Sequence, residues 1–311
     1  MAFAQGSRSQ LAIGALETSF TASAGSVTTS LPFNTHSLNL TKDRVAGNEI
    51  QPDRMDRVDR HGNKSVGGDI VVDLRDSTYD LLIQSALMDA TPLSTGVGIG
   101  TTPQYFSIED QFLDLATPNS RNFSKMTVSS MGVSIAPNQM VTTTFGLVGK
   151  DMSLTNTPTS ITPVDAEPVP FDSYNGTISV GGSAVSIVTS LDFTLTNSFA
   201  PTFVVGSDSA AALEFGKAVV EGTLTAYVDD LSSSSLASLF SAETESSISV
   251  TVAEGTDSGD ANMTFLIPRV KFNSADIPVD GPTSRIVNLS FVGLYDAVEN
   301  TNFKVTAGTV A

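Results

Sequence analysis

The sequence predicts a mainly β fold of two tandem β-sandwich or barrel domains, each with one flanking α-helix. The composition is rich in Thr, Ser, Val and Gly, and the apolar runs are short and alternating, which is typical of β strands. A strand followed by a helix lies at residues 65–87, and the same unit recurs at residues 218–240. Helix is therefore expected to be the exception in this chain.

The first strand-to-helix unit changes its apolar period at Tyr79. From Val66 to Leu74 every second residue is apolar or Gly, as in a half-buried strand. From Tyr79 to Leu87 the apolar residues recur at spacings of three and four, so they form one stripe of a helix. Asp76 and Ser77 precede this helix, and we expect them to cap its first turn.

The second unit keeps the same order. Its strand places Gly222 where the first unit has Gly68, and apolar residues at helical spacing follow at Leu236, Leu239 and Phe240. A later strand that ends at Phe145 has a counterpart that ends at Phe291. Both halves are therefore predicted to contain a strand, a helix, a strand and a hairpin. Two such hairpins are expected to turn at residues 136–138 and 181–182.

Four segments are expected along the chain. A chain of 311 residues is long enough for two domains with separate cores. We predict an extended N-terminal arm at 1–37, a first domain at 38–150, a linker at 151–174 and a second domain at 175–311. The arm has no apolar face wide enough to fold alone, so it needs a surface to lie on. The linker is rich in Pro and Thr, which favours an extended connector.

A long charged loop is predicted at 42–64. Six of the sixteen basic residues lie between Lys42 and Lys64, interleaved with acidic residues. The loop is either a solvated segment whose charges cancel locally or an assembly loop that docks on an acidic neighbour. The residues proposed for docking within or between rings of subunits are Arg44, Arg54, Arg57, Arg60, Asp53, Asp56 and Asp59.

The net charge of −17 is concentrated in the second half of the chain. Residues 1–150 carry 11 Lys and Arg against 14 Asp and Glu, whereas residues 151–311 carry 5 against 19. An acidic surface gains nothing from neutralising phosphates, so tight nucleic-acid binding is disfavoured. An acidic surface instead repels DNA.

Residues for catalysis, cofactors or metals are not predicted. The chain has no Cys, which excludes disulfides and thiolate sites, and no apolar run approaches the length of a membrane helix. His36 and His61 lack a nucleophile pattern, and we expect both at the surface. The acidic segment 254–260 lacks the regular spacing of a calcium loop, so an acidic hairpin tip is preferred over a cation site there.

The order of several short motifs resembles the major tail tube proteins of bacteriophages with long, non-contractile tails. The resemblance covers most of the chain from about Leu11 onward. In the first half the motifs are Leu16-Glu17-Thr18-Ser19-Phe20, Leu31-Pro32-Phe33, Ile50-Gln51-Pro52-Asp53-Arg54, Tyr79-Asp80-Leu81-Leu82 and Phe106-Ser107-Ile108-Glu109. In the second half they are Gly222-Thr223-Leu224-Thr225, Leu266-Ile267-Pro268-Arg269 and Tyr295-Asp296-Ala297.

This resemblance implies a structural subunit of a siphovirus tail tube, in the virion tail and, during assembly, in the host cytoplasm. Tube domains of this family form rings, usually of six domains, whose sheets close into one barrel around a lumen. A duplicated chain would need three copies for a pseudo-hexameric ring. The implied partners are further copies of the chain, a tape-measure protein, tail terminator and distal tail proteins, and genomic DNA that passes through the lumen without specific binding.

Three other functions stay open on sequence alone. Another virion β-sandwich, such as a capsid-decorating or tail-fibre protein, would not polymerise head to tail. A two-domain calcium-dependent adhesin would need an export signal, and a hydrolase would need a base and a nucleophile. The sequence does not distinguish trimeric from hexameric rings, nor which strand faces line a lumen.

Overall fold

The computed structural model describes residues 3–21, 25–50, 52–53, 55, 58–115, 117, 119–161, 168–228, 232, 236–279, 281 and 284–310. Strands dominate these residues and two short α-helices accompany them, which confirms the predicted mainly β class. The pairings between its strands are antiparallel.

The first half contains ten strands and one α-helix within the described residues. In chain order these are β1 (Ser9–Gly14), β2 (Val27–Leu31), β3 (Thr35–His36), β4 (Asn39–Ala46), β5 (Asp59–Asp73), α1 (Asp80–Leu87), β6 (Val97–Gly98), β7 (Phe106–Phe112), β8 (Asn119–Ile135), β9 (Thr142–Gly149) and β10 (Asp151–Thr155). Single 3₁₀ turns lie at Gly6–Arg8 and Leu93–Thr95.

The second half contains ten strands and a shorter α-helix in the part that the structure describes. These are β11 (Thr177–Val180), β12 (Ser183–Ala184), β13 (Val188–Thr196), β14 (Ala200–Thr202), β15 (Ala212–Glu214), β16 (Val219–Tyr227), α2 (Leu236–Ser241), β17 (Ser246–Ala253), β18 (Ala261–Asp276), β19 (Ile286–Gly293) and β20 (Lys304–Thr309). The predicted hairpin turns at 136–138 and 181–182 are confirmed, and Gly181 and Gly182 both have the positive φ that such a tight turn needs.

Eight strands form one continuous sheet, here called the long sheet, in the order β4-β5-β9-β8-β13-β16-β19-β18. The first four strands come from the first half of the chain and the last four from the second. The two halves meet where β8 pairs with β13, from Leu191 opposite Ile135 to Thr196 opposite Ser130. Residues that face each other in these registers project from the same side of the sheet.

The long strands β8 and β18 each belong to two sheets. The N-terminal part of β8 lies in a first outer sheet, ordered β2-β1-β7-β8-β10. The N-terminal part of β18 lies in a second outer sheet, ordered β12-β11-β17-β18-β20-β6. Apolar residues of the outer sheets, such as Leu11 and Phe265, belong to the same buried cluster as Ile70 of the long sheet. The buried side chains form one main core cluster that spans both halves.

The strand pairings of the two halves follow the same order. Two register shifts also occur at corresponding positions in both halves. The register against β8 shifts between Phe106 and Ile108, and the register against β18 shifts between Ser246 and Ile248. A further shift lies between Val128 and Ser130 in β8, and its counterpart lies between Phe272 and Ser274 in β18. Bulges fix the register of the strands that carry them. The halves are therefore built on one topology, whereas the exact domain boundaries stay a prediction.

One predicted pair of counterparts is wrong by two residues. Gly68 pairs with Leu147 and Gly222 pairs with Phe291, so Leu147 rather than Phe145 corresponds to Phe291. A slip of two residues keeps every side chain on its own face of the sheet. The alternation of the sequence therefore could not reveal it.

The predicted N-terminal arm and charged loop differ from the structure. Residues 9–14 form β1 and residues 27–31 form β2, and Leu11 and Ile13 are buried in the core because β1 pairs with β7. This segment is therefore part of the folded sheet, whereas the sequence predicted an arm that lies on another surface. In the predicted loop, β4 continues to Ala46 and β5 begins at Asp59, so the ladder leaves only 47–58 as a connection.

The helix and the linker also carry differences of detail. The N-cap of α1 is Tyr79, and no side chain caps it, so the predicted capping by Asp76 and Ser77 is wrong. The Tyr79 hydroxyl instead donates to the Pro32 carbonyl at 3.0 Å. Part of the predicted linker is structured, because 151–155 form β10 and Phe171 is fully buried. Residues 162–167 of the linker lie outside the described part.

Candidate assembly surfaces

One side of the long sheet is polar from β4 to β18, and we call it the polar face. The opposite side carries the alternating core residues, such as Ile70, Leu191 and Leu289, which are fully buried. Successive registers place the following residues on the polar face: Asn39, Thr41, Asp69, Val71, Asp73, Ser130, Gly132, Ser134, Thr142, Thr144, Gly146, Asp192, Thr194, Thr196, Glu221, Thr223, Thr225, Lys271, Ser274, Asp276, Asn288, Ser290 and Val292.

The polar face is negatively charged, and most of its other side chains are small. Val219, Tyr227 and Ile286 also lie on this side of the sheet by register. It holds five carboxylates, Asp69, Asp73, Asp192, Glu221 and Asp276, against the single ammonium of Lys271. Most of the remaining members are Thr and Ser. Hydrogen bonds between neighbouring strands order this surface, including Ser134 to Asp192 at 2.5 Å and Thr225 to Asn288 at 3.0 Å. The face offers no basic cluster for phosphates, so it suits a surface that DNA passes without binding.

The β4–β5 hairpin carries the described members of the predicted assembly loop. The Arg44 guanidinium binds the Asp59 carboxylate at 2.6 Å, and both side chains are more than half exposed. Arg60 lies in β5 opposite Val45, and Asp53 accepts a hydrogen bond from the Met55 N–H at 3.3 Å. Arg54, Asp56 and Arg57 lie outside the described residues. The docking role of all seven residues stays a prediction.

Large apolar side chains also project from this hairpin. Ile50 is fully exposed, and Val45, Met55 and Val58 are each more than half exposed. Isolated apolar side chains are common on protein surfaces, but four of them along one hairpin form a patch. In the sequence, charge alone distinguishes this segment. The apolar residues were visible in the sequence, but only the extension of β4 and β5 places them on one hairpin.

An ion cluster fixes the base of the hairpin to the second half of the chain. The Lys64 ammonium lies 3.3 Å from Asp151 and 3.2 Å from Asp208, and the Lys64 N–H donates to the Asp208 carbonyl at 2.7 Å. Burial lowers the pKa of Lys64, but the hydrogen bonds with Asp208 and Asp151 outweigh burial and raise it. The same Lys64 bond lowers the pKa of Asp208. Asp208 lies between β14 and β15, so the two hairpins support each other.

The predicted surface position of His36 is wrong. Its side chain is 14% exposed, and Nε2 lies 3.7 Å from Asp110, which also accepts two hydrogen bonds from Arg121. Burial lowers the pKa of His36, Asp110 opposes this shift, and Arg121 adds to it. His61 is exposed, as expected. The His36 cluster joins β3, β7 and β8.

The acidic segment 254–260 closes on itself. The Asp260 carboxylate accepts a hydrogen bond from the Asp257 N–H at 2.8 Å, and the Gly259 N–H donates to the Val310 carbonyl at 2.9 Å. Among the residues that the structure describes, no three His, Cys, Asp or Glu side chains are placed to hold a metal ion. In the same part of the chain, no helix is long and apolar enough to cross a membrane.

Comparison with known proteins identifies the class of this β protein. A family model described as phage tail tube protein matches residues 6–293, which is nearly the whole chain. The chain therefore belongs to the phage tail tube protein family. It is a structural component of the virion tail and not an enzyme. A search of curated proteins found no match. The family expected from the order of short motifs is confirmed.

Proposed function

We propose that three copies of this chain form a pseudo-hexameric ring and that stacked rings form the tube of a siphovirus tail. The observation that carries the proposal is the long sheet, in which two four-stranded units of one topology already lie side by side. Three copies of an eight-stranded sheet supply 3 × 8 = 24 strands to a closed barrel. Closure removes the exposed edges that an open sheet would leave.

In this ring the polar face lines the lumen. The core side of the long sheet is covered by the outer sheets and helices of the same chain, so the polar face is the side left for the conduit. Its five carboxylates and its small Thr and Ser side chains would repel the phosphates of the genome and let the DNA slide during ejection. The same lumen would hold a tape-measure protein during assembly in the host cytoplasm.

Stacking of rings uses the two ends of the long sheet. The strand directions put the β4–β5 and β14–β15 hairpins at one end and the β5–α1 and β8–β9 connections at the other. The first end carries the β4–β5 hairpin, where six basic residues are interleaved with five acidic ones between residues 42 and 64 and apolar side chains are exposed. The second end carries Asp76, Asp172 and the 90% exposed Tyr174. The Arg and apolar side chains of the hairpin are complementary to an acidic, aromatic acceptor, and the last ring at each end would meet terminator or distal tail proteins.

Negative-stain microscopy of the concentrated purified protein tests this function. Hollow filaments of even width are expected, because the conduit requires both closed rings and head-to-tail stacking. Isolated trimers without filaments would instead fit a capsid-decorating or tail-fibre protein. Monomers at every concentration would contradict self-assembly.

A further inference from the structure

We propose that the internal seam between β8 and β13 is repeated between copies, with β4 of one copy paired antiparallel to the end of β18 in the next. The proposal rests on the ring described above and specifies its subunit contact. The expected register places Thr41 opposite Ser274, Leu40 opposite Ala275 and Asn39 opposite Asp276. The partner at each edge is a second copy of this chain.

The internal seam supplies the register. Within one chain, β13 pairs with β8 so that Thr196 faces Ser130, Leu195 faces Met131 and Thr194 faces Gly132. The counterpart of β13 in the first half is the β3–β4 segment, because Leu38 lies against Gly68 as Phe193 lies opposite Gly222. This correspondence equates Thr196 with Thr41 and Thr194 with Asn39.

The bulges fix the other strand of the seam. Val128 faces Leu147 just before the register shift in β8, and Phe272 faces Phe291 just before the shift in β18. Ser130 therefore corresponds to Ser274, Met131 to Ala275 and Gly132 to Asp276. Two independent features, the glycine positions and the bulges, yield the same alignment of the halves.

Both edges required for this contact lack a strand partner within the described residues. β4 pairs with β5 on one side, and residues 271–276 of β18 pair with β19 on one side. At the β4 edge, the Leu40 N–H donates to the side chain of its neighbour Asn39 at 2.9 Å. A local acceptor of this kind keeps an edge N–H hydrogen-bonded until another strand arrives.

Burial distinguishes the internal seam from the two edges. On the core side of the internal seam, Leu195, Met131, Phe193 and Val133 are no more than 2% exposed. Of their counterparts, Leu38 is equally buried, whereas Leu40, Ala275 and Ile277 pack against the core but are only partly buried. Pairing of two copies would bury these three side chains, as pairing of β8 with β13 buries their counterparts at the internal seam. The polar side would bring the Asn39 amide next to the Asp276 carboxylate, which it can bind as a donor.

The seam between copies would lack one contact that the internal seam has. The long connection after α1 forms β6, which pairs with β20 of the other half, and the Ile99 N–H donates to the Thr301 hydroxyl at 3.0 Å. After α2 the connection is only 242–245, which is too short to form a similar strand. The seam between copies should therefore open more readily than the internal one.

Disulfide trapping tests the register, and the absence of Cys from the chain makes it direct. The double variant N39C/D276C, concentrated and mildly oxidised, should run as covalent dimers and closed trimers on a non-reducing gel. The variant T35C/S274C uses the same two edges six residues out of register, about 20 Å apart. It should stay monomeric, as should N39C and D276C alone. The internal pair G132C/T194C should lose its two thiols to an intramolecular disulfide and still run as a monomer.

The outcomes separate this inference from the proposed function. Hollow filaments together with cross-linking of N39C/D276C would support both. Filaments in which N39C/D276C stays monomeric, or in which T35C/S274C cross-links instead, would overturn the register and leave the tube function standing. A parent protein that forms no filaments, with no cross-link in any variant, would contradict the tube and the seam together.

Discussion

The Ser134 hydroxyl donates a 2.5 Å hydrogen bond to the Asp192 carboxylate, and this bond crosses the seam between the two halves of the long sheet. Both residues lie on the polar face, where Ser134 is directly opposite Asp192 in the register. Two features proposed to matter for the tube, the continuity of the sheet and the charge of its surface, therefore meet at one pair of side chains.

Removal of this bond should weaken the seam modestly. Ser134→Ala is expected to lower the free energy of unfolding by about 0.5 to 1 kcal/mol, because both side chains are exposed and water replaces part of the lost interaction. Asp192→Asn keeps an acceptor and is the matched control. Urea unfolding measures both variants. Equal losses in the two would show that the hydrogen bond is not the cause.

Gly222 should tolerate no side chain. A Cβ there would lie 2.4 Å from the Asp192 carbonyl oxygen and 2.6 Å from the Phe291 ring, so Gly222→Ala must displace backbone or core. A loss of about 2 to 4 kcal/mol is expected in urea unfolding. Gly132→Ala on the neighbouring strand is the control, because its Cβ would meet only the Thr194 hydroxyl at 3.4 Å. Similar stabilities for the two variants would contradict the close packing of β13, β16 and β19.

The basic hairpin should control stacking rather than folding. Reversal of Arg54, Arg57 and Arg60 to Glu should leave soluble protein with unchanged thermal stability but no long tubes, since like charges would then face the acidic end of the next ring. Arg8, Arg269 and Lys304, which lie in or next to strands of the outer sheets, serve as a control with the same change in net charge when they are reversed together. Tube length is measured by negative-stain microscopy. An unchanged yield of long tubes would remove the hairpin from ring stacking.

The polar face should exclude DNA because of its carboxylates. Tubes assembled from the variant D69K/D192K/E221K in the presence of a short DNA duplex should retain DNA that nuclease cannot digest, and this retention should fall steeply with salt. Parent tubes should retain none. The variant E214K/E254K/D257K alters charges off the polar face, so any DNA that it binds should be digested. Equal protection in all three would contradict a lumen lined by the polar face.

Asp80 should make stability depend on pH. Burial raises the pKa of its carboxyl to about 6, and Asp76 adds to the shift. The folded state thus favours the protonated form, so Asp80 costs stability as pH rises from about 4 to about 6. Asp80→Asn should therefore gain about 1 kcal/mol relative to the parent over this range, after allowance for solvent screening. Urea midpoints across the range check this, and a pH-independent difference would contradict the burial of the charge.

Local patterns predicted much of the fold. The change of apolar period at Tyr79 gave α1, and two glycines gave the turn after β11. Features that depend on pairing between segments distant in sequence could not be predicted from the sequence. β1 is buried only because β7 accepts it, and the continuity of the long sheet depends on β8 being shared by two sheets.

For the same reason, the sequence predicted the charges of the candidate surfaces but not the positions of those charges in the fold. The charged residues near Arg44 stood out by composition, but their position on an extended hairpin depends on the ladder between β4 and β5. Acidity was evident from the sequence, whereas the gathering of Asp69, Asp192 and Glu221 on one face required the registers. His36 was misplaced because its burial depends on Asp110 and Arg121, far away in sequence.

Electron cryo-microscopy of the assembled tube tests the central claim most directly. A cross-section should show one closed barrel with three copies of the chain per ring, each contributing the eight strands of the long sheet, and with Asp192 and Glu221 facing the channel. A ring with any other number of copies, or a channel lined by the opposite side of the sheet, would contradict the account.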